Sequence, residues 1–300
     1  MYWFKNLMAY RLTSQIDFSQ IETALQANKY TECQSSEVSK FGWSTPLCTS
    51  EQLHFEAIGQ ILLVAHKEEK ILPPYVIKKE MDNRLAELEK KEGRKLKKIE
   101  KLGIKDDVIA TLLPRAFSKH QLTAIWIDSK LGYVYVDTNS AKRAEDVLAL
   151  LRKSLGSLPV VPLAFNSQPS EIMTIWLKDN EVPNWLMLQE EGRLKSISDN
   201  SEATFRHQDL ESEEIETHLL AGKYVSRLAL DWENHLSFTL SEDGTISKIK
   251  FADDIREKND DILKEDVAQR FDADFFLMTQ ELDRLMENLA TEFDGVKERE

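Results

Sequence analysis

The sequence lacks the short motifs that identify the common classes of enzyme. Its ten glycines include no closely spaced group, which excludes the GxGxxG turn of dinucleotide-binding proteins and the P-loop of motor ATPases. Its six histidines form no HExxH pair and no cysteine and histidine cluster at zinc spacing, and no GxSxG elbow is present. The sequence therefore predicts no catalytic residue, no metal ligand and no cofactor.

Cysteine is scarce and long apolar runs are absent. The two cysteines, Cys33 and Cys48, form no CxxC pair, which favours a reducing compartment and two buried or idle thiols, while a disulfide between them stays open. No stretch supplies the roughly 18 uninterrupted apolar residues of a membrane span. We therefore expect a cytoplasmic protein without a membrane partner.

Positive charge is in deficit over the whole chain but not in its middle third. The chain carries 52 acidic and 39 basic side chains, a net charge of −13, yet residues 60–160 hold 20 basic and 14 acidic side chains. Within that third, residues 90–101 read KKEGRKLKKIEK, and seven of the twelve are basic. Because the local field decides whether a polyanion is attracted, this basic segment is the candidate binding surface.

The basic segment lies in a region predicted to be helical from Pro74 to Leu113, with a break at Gly103. Drawn as one helix, residues 77–102 separate into two faces. The apolar face holds Ile77, Met81, Leu85, Leu88, Leu96, Ile99 and Leu102. The opposite face holds Lys79, Lys90, Arg94, Lys97 and Lys101, flanked by Lys91, Lys95 and Lys98. A lysine-rich row contacts phosphate oxygens rather than base edges, so we expect double-stranded DNA binding without sequence preference.

Two other interpretations of the basic segment remain. Charged runs are usually solvated helix surfaces held by pairs such as Glu87 with Lys91. A helix lying on a membrane surface is a third possibility, but the apolar stretch KDDVIATLL beyond Gly103 offers a partner that would cover the apolar face. The sequence thus favours an antiparallel helical hairpin with an exposed basic side.

The fold class expected from the remaining pattern is α+β, with mixed, largely antiparallel sheets and a helical-hairpin insertion. Strands are predicted at IMTIWL and near WLMLQ, a three-stranded meander over YVSRLALDW, LSFTLSEDG and TISKIKF, and a helical tail from about residue 265 to 289. The predicted domains are a central α+β domain (1–73 and 115–165), a basic helical tip insertion (74–114) and an acidic α+β base domain with a C-terminal helix (166–300).

One weak catalytic alternative is a Mg²⁺-dependent nuclease. Asp272 and Asp274 in FDADFF could act as paired metal ligands, but aspartates beside Phe275 and Phe276 are more often caps of a starting helix. Four tryptophans in apolar runs are expected in the core rather than as base-stacking platforms: Trp126, Trp176, Trp185 and Trp232.

Several long stretches resemble one known family. They are WFKNLMAYRL, HKEEKILPPYVI, GRKLKKIEK, LLPRAFSKH, AEDVLALLRKSLGSLPVVPL, QDLESEEI, LALDW and AQRFDADFFLMTQEL. Together they are similar to the RdgC family of recombination-associated proteins, and the resemblance runs from Met1 to about Leu289.

The resemblance implies a non-catalytic, nucleoid-associated protein that binds double-stranded DNA and restrains RecA-promoted strand exchange. It also implies a ring-forming homodimer, closed by head-to-head and tail-to-tail contacts, whose basic hole encircles the duplex. Arg94, Lys95, Lys97 and Lys98 would face the DNA, and Phe117 in LLPRAF would form one ring contact that could act as a gate.

The sequence departs from the family just before the QDL motif. Relatives can carry a lysine there, whereas this chain has His207 followed by Gln208. If these two residues touch DNA, binding should strengthen somewhat at acidic pH, because a histidine gains positive charge there.

Overall fold

The computed structural model describes residues 3–263 and 265–297. The chain forms two compact units. Unit 1 comprises Met1–Leu25, Thr45–Val64 and Thr123–Glu300, and unit 2 comprises Gln26–Ser44 and Ala65–Leu122. The three domains expected from the sequence follow a different division of the chain and stay a prediction.

The described residues form strands and helices that are mixed along the chain. In chain order, the strands are β1 (Met8–Leu12), β2 (Ser39–Ser44), β3 (His54–Ala57), β4 (Gln60–Lys70), β5 (Ser118–Asp128), β6 (Tyr133–Val136), β7 (Val160–Pro162), β8 (Met187–Ser196), β9 (Glu202–Arg206), β10 (Lys223–Trp232), β11 (Leu236–Ser241) and β12 (Ile246–Phe251). The helices are α1 (Ile21–Gln26), α2 (Pro74–Glu92), α3 (Lys98–Leu112), α4 (Ala141–Leu155), α5 (Pro169–Lys178), α6 (Glu213–Leu220), α7 (Asp253–Arg256) and α8 (Val267–Glu292), with a short 3-10 helix at Leu113–Arg115.

Unit 1 contains two antiparallel arrangements of strands. In the first, β6 pairs with both β5 and β1, β1 also pairs with β7, and β3 pairs with the start of β4. The second is a five-stranded sheet in the order β12-β11-β10-β8-β9. The predicted class of mixed α and β structure with antiparallel sheets is therefore confirmed, as is the three-stranded meander, which forms β10 to β12.

The core of unit 1 is built around the long helix α8. Phe275, Met278, Leu282 and Leu285 recur at helical spacing, and all four are completely buried. Trp126 and Trp176 are also buried as predicted, while Trp185 and Trp232 are partly buried against the same core. The indole N–H of Trp126 donates to the Gln60 side chain at 2.5 Å, so its polar atom is satisfied inside the core.

Unit 2 joins a small sheet to a helical pair. Within it β2 neighbours β4, and β4 neighbours β5. Helices α2 and α3 pack on each other through Leu96, Ile104 and Val108, which are buried, and through five partly buried side chains on both helices. The expected helical hairpin is therefore present, beginning at Pro74 as predicted.

Two secondary-structure predictions were wrong. The segment IMTIWL is not a strand but part of α5, because Pro169 starts a helix and the spacing of Met173 and Trp176 buries one helical face. The predicted break at Gly103 is also absent, since Gly103 lies inside α3.

Cys33 and Cys48 are both free thiols, so no disulfide joins them, and Cys48 is exposed.

An unpaired carboxylate in unit 1 makes stability depend on pH. The Asp283 Oδ1 atom on α8 is buried without a hydrogen-bond partner among the described residues. Burial, and then the charges of Asp128 and Glu287, raise the pKa of Asp283 to about 7. Because the unfolded chain binds this proton less tightly, the free energy of unfolding should fall as pH rises from about 4 to about 7 and then level off.

We expect Asp283→Asn to remove this pH dependence. Since the carboxylate keeps partial solvent access, the gain in free energy of unfolding at about pH 8 should be roughly 1–3 kcal/mol. Urea unfolding of wild type and variant at about pH 5 and about pH 8 measures it. Asp272→Asn, an exposed change on the same helix, is the control and should show no such gain. An equal effect of both substitutions would contradict the assignment to Asp283.

Candidate nucleic-acid interface

The basic segment is not one continuous helix, which corrects the sequence-based wheel. Helix α2 ends at Glu92 and α3 begins at Lys98. Gly93 has a φ of 67°, and its N–H donates to the Glu89 carbonyl oxygen, so it ends α2 in the left-handed conformation that suits glycine. Lys79 and Lys90 therefore lie on α2, Arg94, Lys95 and Lys97 in the link, and Lys98 and Lys101 on α3.

The link is anchored by one apolar residue and two acidic side chains. Leu96 is buried between the helices, and its N–H donates to Glu89 Oε1 at 3.1 Å. The Lys97 N–H donates to Glu100 Oε2 at 2.6 Å, which caps the start of α3. Because the link resets the helical register, Ile99 and Leu102 leave the predicted apolar face and are 83% and 53% exposed, while Ile104 and Val108 take their place.

Arg94 is held by two acidic neighbours. Its guanidinium forms a bidentate pair with Glu100, at 2.6 and 3.0 Å, and also lies 2.7 Å from Glu92. The hydrogen bonds from Arg94 and from the Lys97 N–H lower the pKa of Glu100 to about 2, so this carboxylate stays charged at neutral pH. Much of the charge of Arg94 is therefore already neutralised within unit 2.

The lysines around the link are different. Five of them are exposed, and none has a carboxylate within 4.0 Å among the described residues. They are Lys90, Lys91, Lys95, Lys97 and Lys98. Lys101 has only a distant acidic neighbour, Glu89 Oε1 at 3.9 Å. The end of α2, the link and the start of α3 thus present a cluster of uncompensated positive charges, called the lysine cluster below.

Lys79 extends this charge along α2. Lys79 and Lys90 are eleven positions apart, which brings them to the same side of the helix at a separation of ~16 Å. Both are exposed. A duplex presents several phosphates over such a distance, so this side of α2 is geometrically suited to follow a DNA backbone.

Phe117 is exposed on unit 2, where it follows the 3-10 helix. Its side chain is 85% exposed, and its carbonyl oxygen accepts a hydrogen bond of 2.8 Å from the Ile71 N–H. Ile71 is also exposed, at 48%. This backbone hydrogen bond keeps two exposed apolar residues near each other, which makes this part of unit 2 a candidate protein contact surface.

His207 and Gln208 belong to unit 1 and lie beside acidic residues. His207 is exposed, with a φ of 54°, at the end of β9. The Gln208 side-chain amide donates to Glu214 Oε2 at 2.8 Å. Glu191, paired with Arg206 across β8 and β9, forms an ion pair with Lys248 that lowers the pKa of Glu191. These surroundings give no added support to a phosphate contact there, and that role stays a prediction.

Asp272 and Asp274 do not form a pair of metal ligands. Both lie inside α8, and residues two apart on a helix point in different directions. Asp272 is exposed, whereas Asp274 is buried and accepts a hydrogen bond from Asn259 Nδ2 at 3.0 Å. The expected role as helix caps is also wrong, because Asp266 caps α8 by accepting from the Gln269 N–H.

Sequence reasoning missed the acidic partners of the basic segment. The signals were available, because Gly93 is the residue type that ends helices and Glu100 stands three positions after Lys97, the spacing of an N-terminal cap. Read in that way, the segment predicts two helices and a link in place of one long helix.

Comparisons with known proteins place these features in one family. Residues 2–296 match the family described as "Putative exonuclease, RdgC". The recombination-associated protein RdgC of Actinobacillus pleuropneumoniae serotype 3 is 61% identical over 301 residues, covering 100% of both chains. The proteins of the same name from Pasteurella multocida and Haemophilus influenzae are 58% and 56% identical, over 100% and 99% of both chains.

Among the described residues, no helix is long and apolar enough to cross a bilayer, and no three metal-binding side chains are grouped as a metal site. The match covers nearly the whole length and includes the basic segment and both compact units. This chain therefore belongs to the RdgC family of recombination-associated proteins.

Proposed function

We propose that this protein binds double-stranded DNA without sequence preference, as a ring-shaped homodimer, and limits the access of RecA to the duplex. One observation carries the DNA-binding part: the lysine cluster is exposed and uncompensated in a chain with a net charge of −13. Lysine ammonium groups bind phosphate oxygens as point charges and read no base edges, which accounts for affinity without sequence preference.

In the proposed ring, apolar surfaces of the two subunits associate with each other. Phe117 and Ile71 expose apolar surface on unit 2, and a second copy of the same patch is a natural partner in a two-fold symmetric contact. A closed ring leaves DNA only by opening or by reaching an end, so weak phosphate contacts suffice for a long residence time. Occupied duplex is unavailable to RecA, and binding of chromosomal DNA would place the protein at the nucleoid.

Binding measurements on duplexes of unrelated sequence test the DNA-binding proposal. Fluorescence anisotropy with labelled duplexes of roughly 30 base pairs should give equal affinities and a steep decrease with added salt. A preference for one sequence, or no complex at low salt, would contradict it. Encirclement predicts in addition that complexes on closed circular DNA resist salt better than those on linear DNA of the same length.

Phe117→Ser should weaken the dimer while the subunit stays folded. Because the side chain is 85% exposed, its removal costs the subunit little, but burying one phenylalanine from each copy is worth several kcal/mol to a contact. We expect a dimer dissociation constant at least roughly 100-fold higher, measured by analytical ultracentrifugation, with an unchanged circular dichroism spectrum. Ile99→Ser, which removes an equally exposed apolar side chain of unit 2, is the control. Equal dimer strength in both variants would exclude Phe117 from the contact.

We propose a non-catalytic role, although the family description names an exonuclease. The nuclease alternative required Asp272 and Asp274 to share a metal ion, and their opposite orientations on α8 remove its structural basis. Incubating linear duplex with protein and Mg²⁺ tests the point. Progressive loss of nucleotides that is absent from a heat-inactivated control would overturn the non-catalytic assignment.

A further inference from the structure

A small polar cavity on the five-stranded sheet of unit 1 lies outside the basic segment. It has a volume of about 120 Å³ and is lined by residues of β8, β10, β11 and β12, by the turn after β11 and by Asn139, which lies between β6 and α4. Three of its lining side chains are cationic: Arg193, Lys195 and Arg227. Its other lining groups include Ser226, Ser241 and Thr245, so hydroxyl groups surround the cations.

The two arginines are directly opposite each other on neighbouring strands. Arg193 on β8 pairs with Arg227 on β10, and Arg227 pairs with Ser241 on β11. Directly opposed residues of an antiparallel sheet project from the same face, and like charges in that position are destabilising. An anion bound between the two guanidinium groups would convert this repulsion into attraction.

The backbone is shaped around this arginine pair. Between Val225 and Arg227 the register of β10 against β8 shifts, so that Ser226 is the extra residue of a β-bulge. The Ser226 hydroxyl donates to the Arg193 carbonyl oxygen at 3.1 Å, which fixes the bulge to the strand that carries Arg193. A bulge re-aims the next side chain, and here that side chain is Arg227.

The donors of the two arginines are not used up by neighbouring acids. Arg193 Nε is buried and has no hydrogen-bond acceptor among the described residues, although its Nη1 lies 3.5 Å from Glu202. Arg227 has no carboxylate within 4.0 Å in the same part of the chain, and its side chain is exposed. A buried guanidinium N–H without an acceptor is costly, and an oxyanion is the ligand that satisfies it.

The two acidic residues at the cavity already accept hydrogen bonds from other residues of this chain. Glu242 accepts hydrogen bonds from Lys195 Nζ at 2.6 Å and from the Tyr224 hydroxyl at 3.0 Å. Asp243 Oδ1 accepts from the Thr245 N–H at 3.0 Å. With Lys195 compensated by Glu242, the arginine pair remains the positive centre of the cavity.

We infer that this cavity is a binding site for a single phosphate group, held by Arg193 and Arg227 and by the surrounding hydroxyl groups. Its small volume suits one tetrahedral oxyanion rather than a nucleotide base. The group could be inorganic phosphate or a phosphate of a nucleic acid, because the recognising chemistry is the same. The site does not depend on the lysine cluster, which belongs to unit 2.

Calorimetric titration of the full-length protein with inorganic phosphate, at constant ionic strength set by chloride, tests the site. Wild type should show saturable binding, and Arg227→Gln should weaken it at least tenfold. Arg256→Gln, an exposed change on α7 away from the cavity, should leave it unchanged. Because Arg227 is exposed, its variant is expected to stay folded, which circular dichroism verifies.

Two further measurements separate a bound phosphate from a structural effect of the arginines. The ¹⁵N signal of Arg193 Nε should move as phosphate is added. The melting temperature of Arg227→Gln should no longer rise with added phosphate. Without phosphate, the melting temperature of this variant should equal or exceed that of wild type. Absence of saturable binding in wild type, or equal binding in wild type, Arg227→Gln and Arg193→Gln, would overturn the site.

Competition with DNA identifies the source of the phosphate. Displacement of inorganic phosphate by a 5′-phosphorylated duplex alone indicates a terminal phosphate, displacement by phosphorylated and unphosphorylated duplex alike indicates a backbone phosphate, and displacement by neither indicates free phosphate. A variant with alanine at Lys95, Lys97 and Lys98 should still bind inorganic phosphate. Failure of the lysine cluster to bind DNA is thereby distinguishable from failure of this site.

Discussion

Replacing Lys95, Lys97 and Lys98 together by alanine is expected to weaken binding to every duplex by roughly 100-fold at about 150 mM salt. The three side chains are exposed and have no acidic partner within 4.0 Å among the described residues, so each is free to displace a counterion from a phosphate. Each lost contact should also lower the slope of log affinity against log salt by about 0.9. Anisotropy titrations over a range of salt measure both quantities.

The matched control changes the net charge by the same amount on unit 1. Lys142, Lys153 and Lys178 are exposed lysines of α4 and α5, and their replacement by alanine should leave the salt slope unchanged. A similar loss in both triple variants would mean that total charge, not the lysine cluster, governs binding. An unchanged slope in the first variant would show that the cluster does not contact DNA.

The ion pairs of Arg94 refine this expectation. The guanidinium is shared between Glu92 and Glu100, whereas Lys97 has no such partner in the described structure. DNA must therefore compete with two carboxylates for Arg94, one of which is held in a bidentate pair. Arg94 and the lysines formed one row on the sequence-based wheel, but the structure makes the lysines the stronger candidates.

Most features of the fold that depend on neighbouring residues in the sequence were predicted correctly, and most features that depend on distant residues were not. The helical pair, the meander and the tail helix follow from local apolar periodicity and were predicted correctly. The apolar face predicted for α2 was also correct, because Met81 and Leu85 pack against the cluster of Leu96, Ile104 and Val108. The helical-wheel prediction failed beyond Gly93, because a wheel assumes a continuous helix. A single residue in the left-handed conformation changes the direction of every later side chain.

The contacts that matter most at the candidate sites are not local. Nothing in the sequence indicates that Arg193 will lie opposite Arg227, because this depends on the register of β8 against β10 and on the bulge at Ser226. The same holds for Asp283, whose pKa is raised by burial and by the charge of Asp128, a residue far away in the chain. A strand was predicted at IMTIWL, but these residues form part of α5, which buries Met173 and Trp176 on one face.

Gly42→Ala should strongly destabilise unit 2. A Cβ atom at Gly42 would lie 2.7 Å from the Asn28 carbonyl oxygen and from both N and Cα of Tyr30. These are backbone atoms and cannot rotate away, so β2 and the segment 28–30 would have to separate. That separation breaks the hydrogen bonds that join them, from the Trp43 N–H to the Asn28 oxygen at 2.9 Å and from the Tyr30 N–H to the Trp43 oxygen at 2.8 Å. We expect a loss of about 3 kcal/mol or more in the free energy of unfolding.

The consequence should extend to the buried carboxylate of Glu68. This side chain accepts hydrogen bonds from the Ser118 hydroxyl, from the Cys33 N–H at 2.7 Å and from the Tyr30 hydroxyl at 2.7 Å, and these three bonds lower the pKa of Glu68 to about 2. Displacing the segment that carries Tyr30 and Cys33 moves these two donors away from the Glu68 carboxylate, which then loses both hydrogen bonds. Hydrogen exchange read by mass spectrometry should therefore show faster exchange in β2, in residues 28–33 and near Glu68.

Gly103→Ala is the matched control for this prediction. Gly103 also belongs to unit 2 and lies inside α3, but among the described residues no atom beyond its chain neighbours and the adjacent helix backbone lies within 4 Å of the position that its Cβ would occupy. Alanine should therefore stabilise the helix by about 1 kcal/mol through its higher helical propensity. Urea unfolding should give shifts of opposite sign for the two alanine variants. A loss at Gly42 no larger than the gain at Gly103 would show that β2 can yield to the added methyl group, and the close approach of residues 28–30 would then not be essential to unit 2.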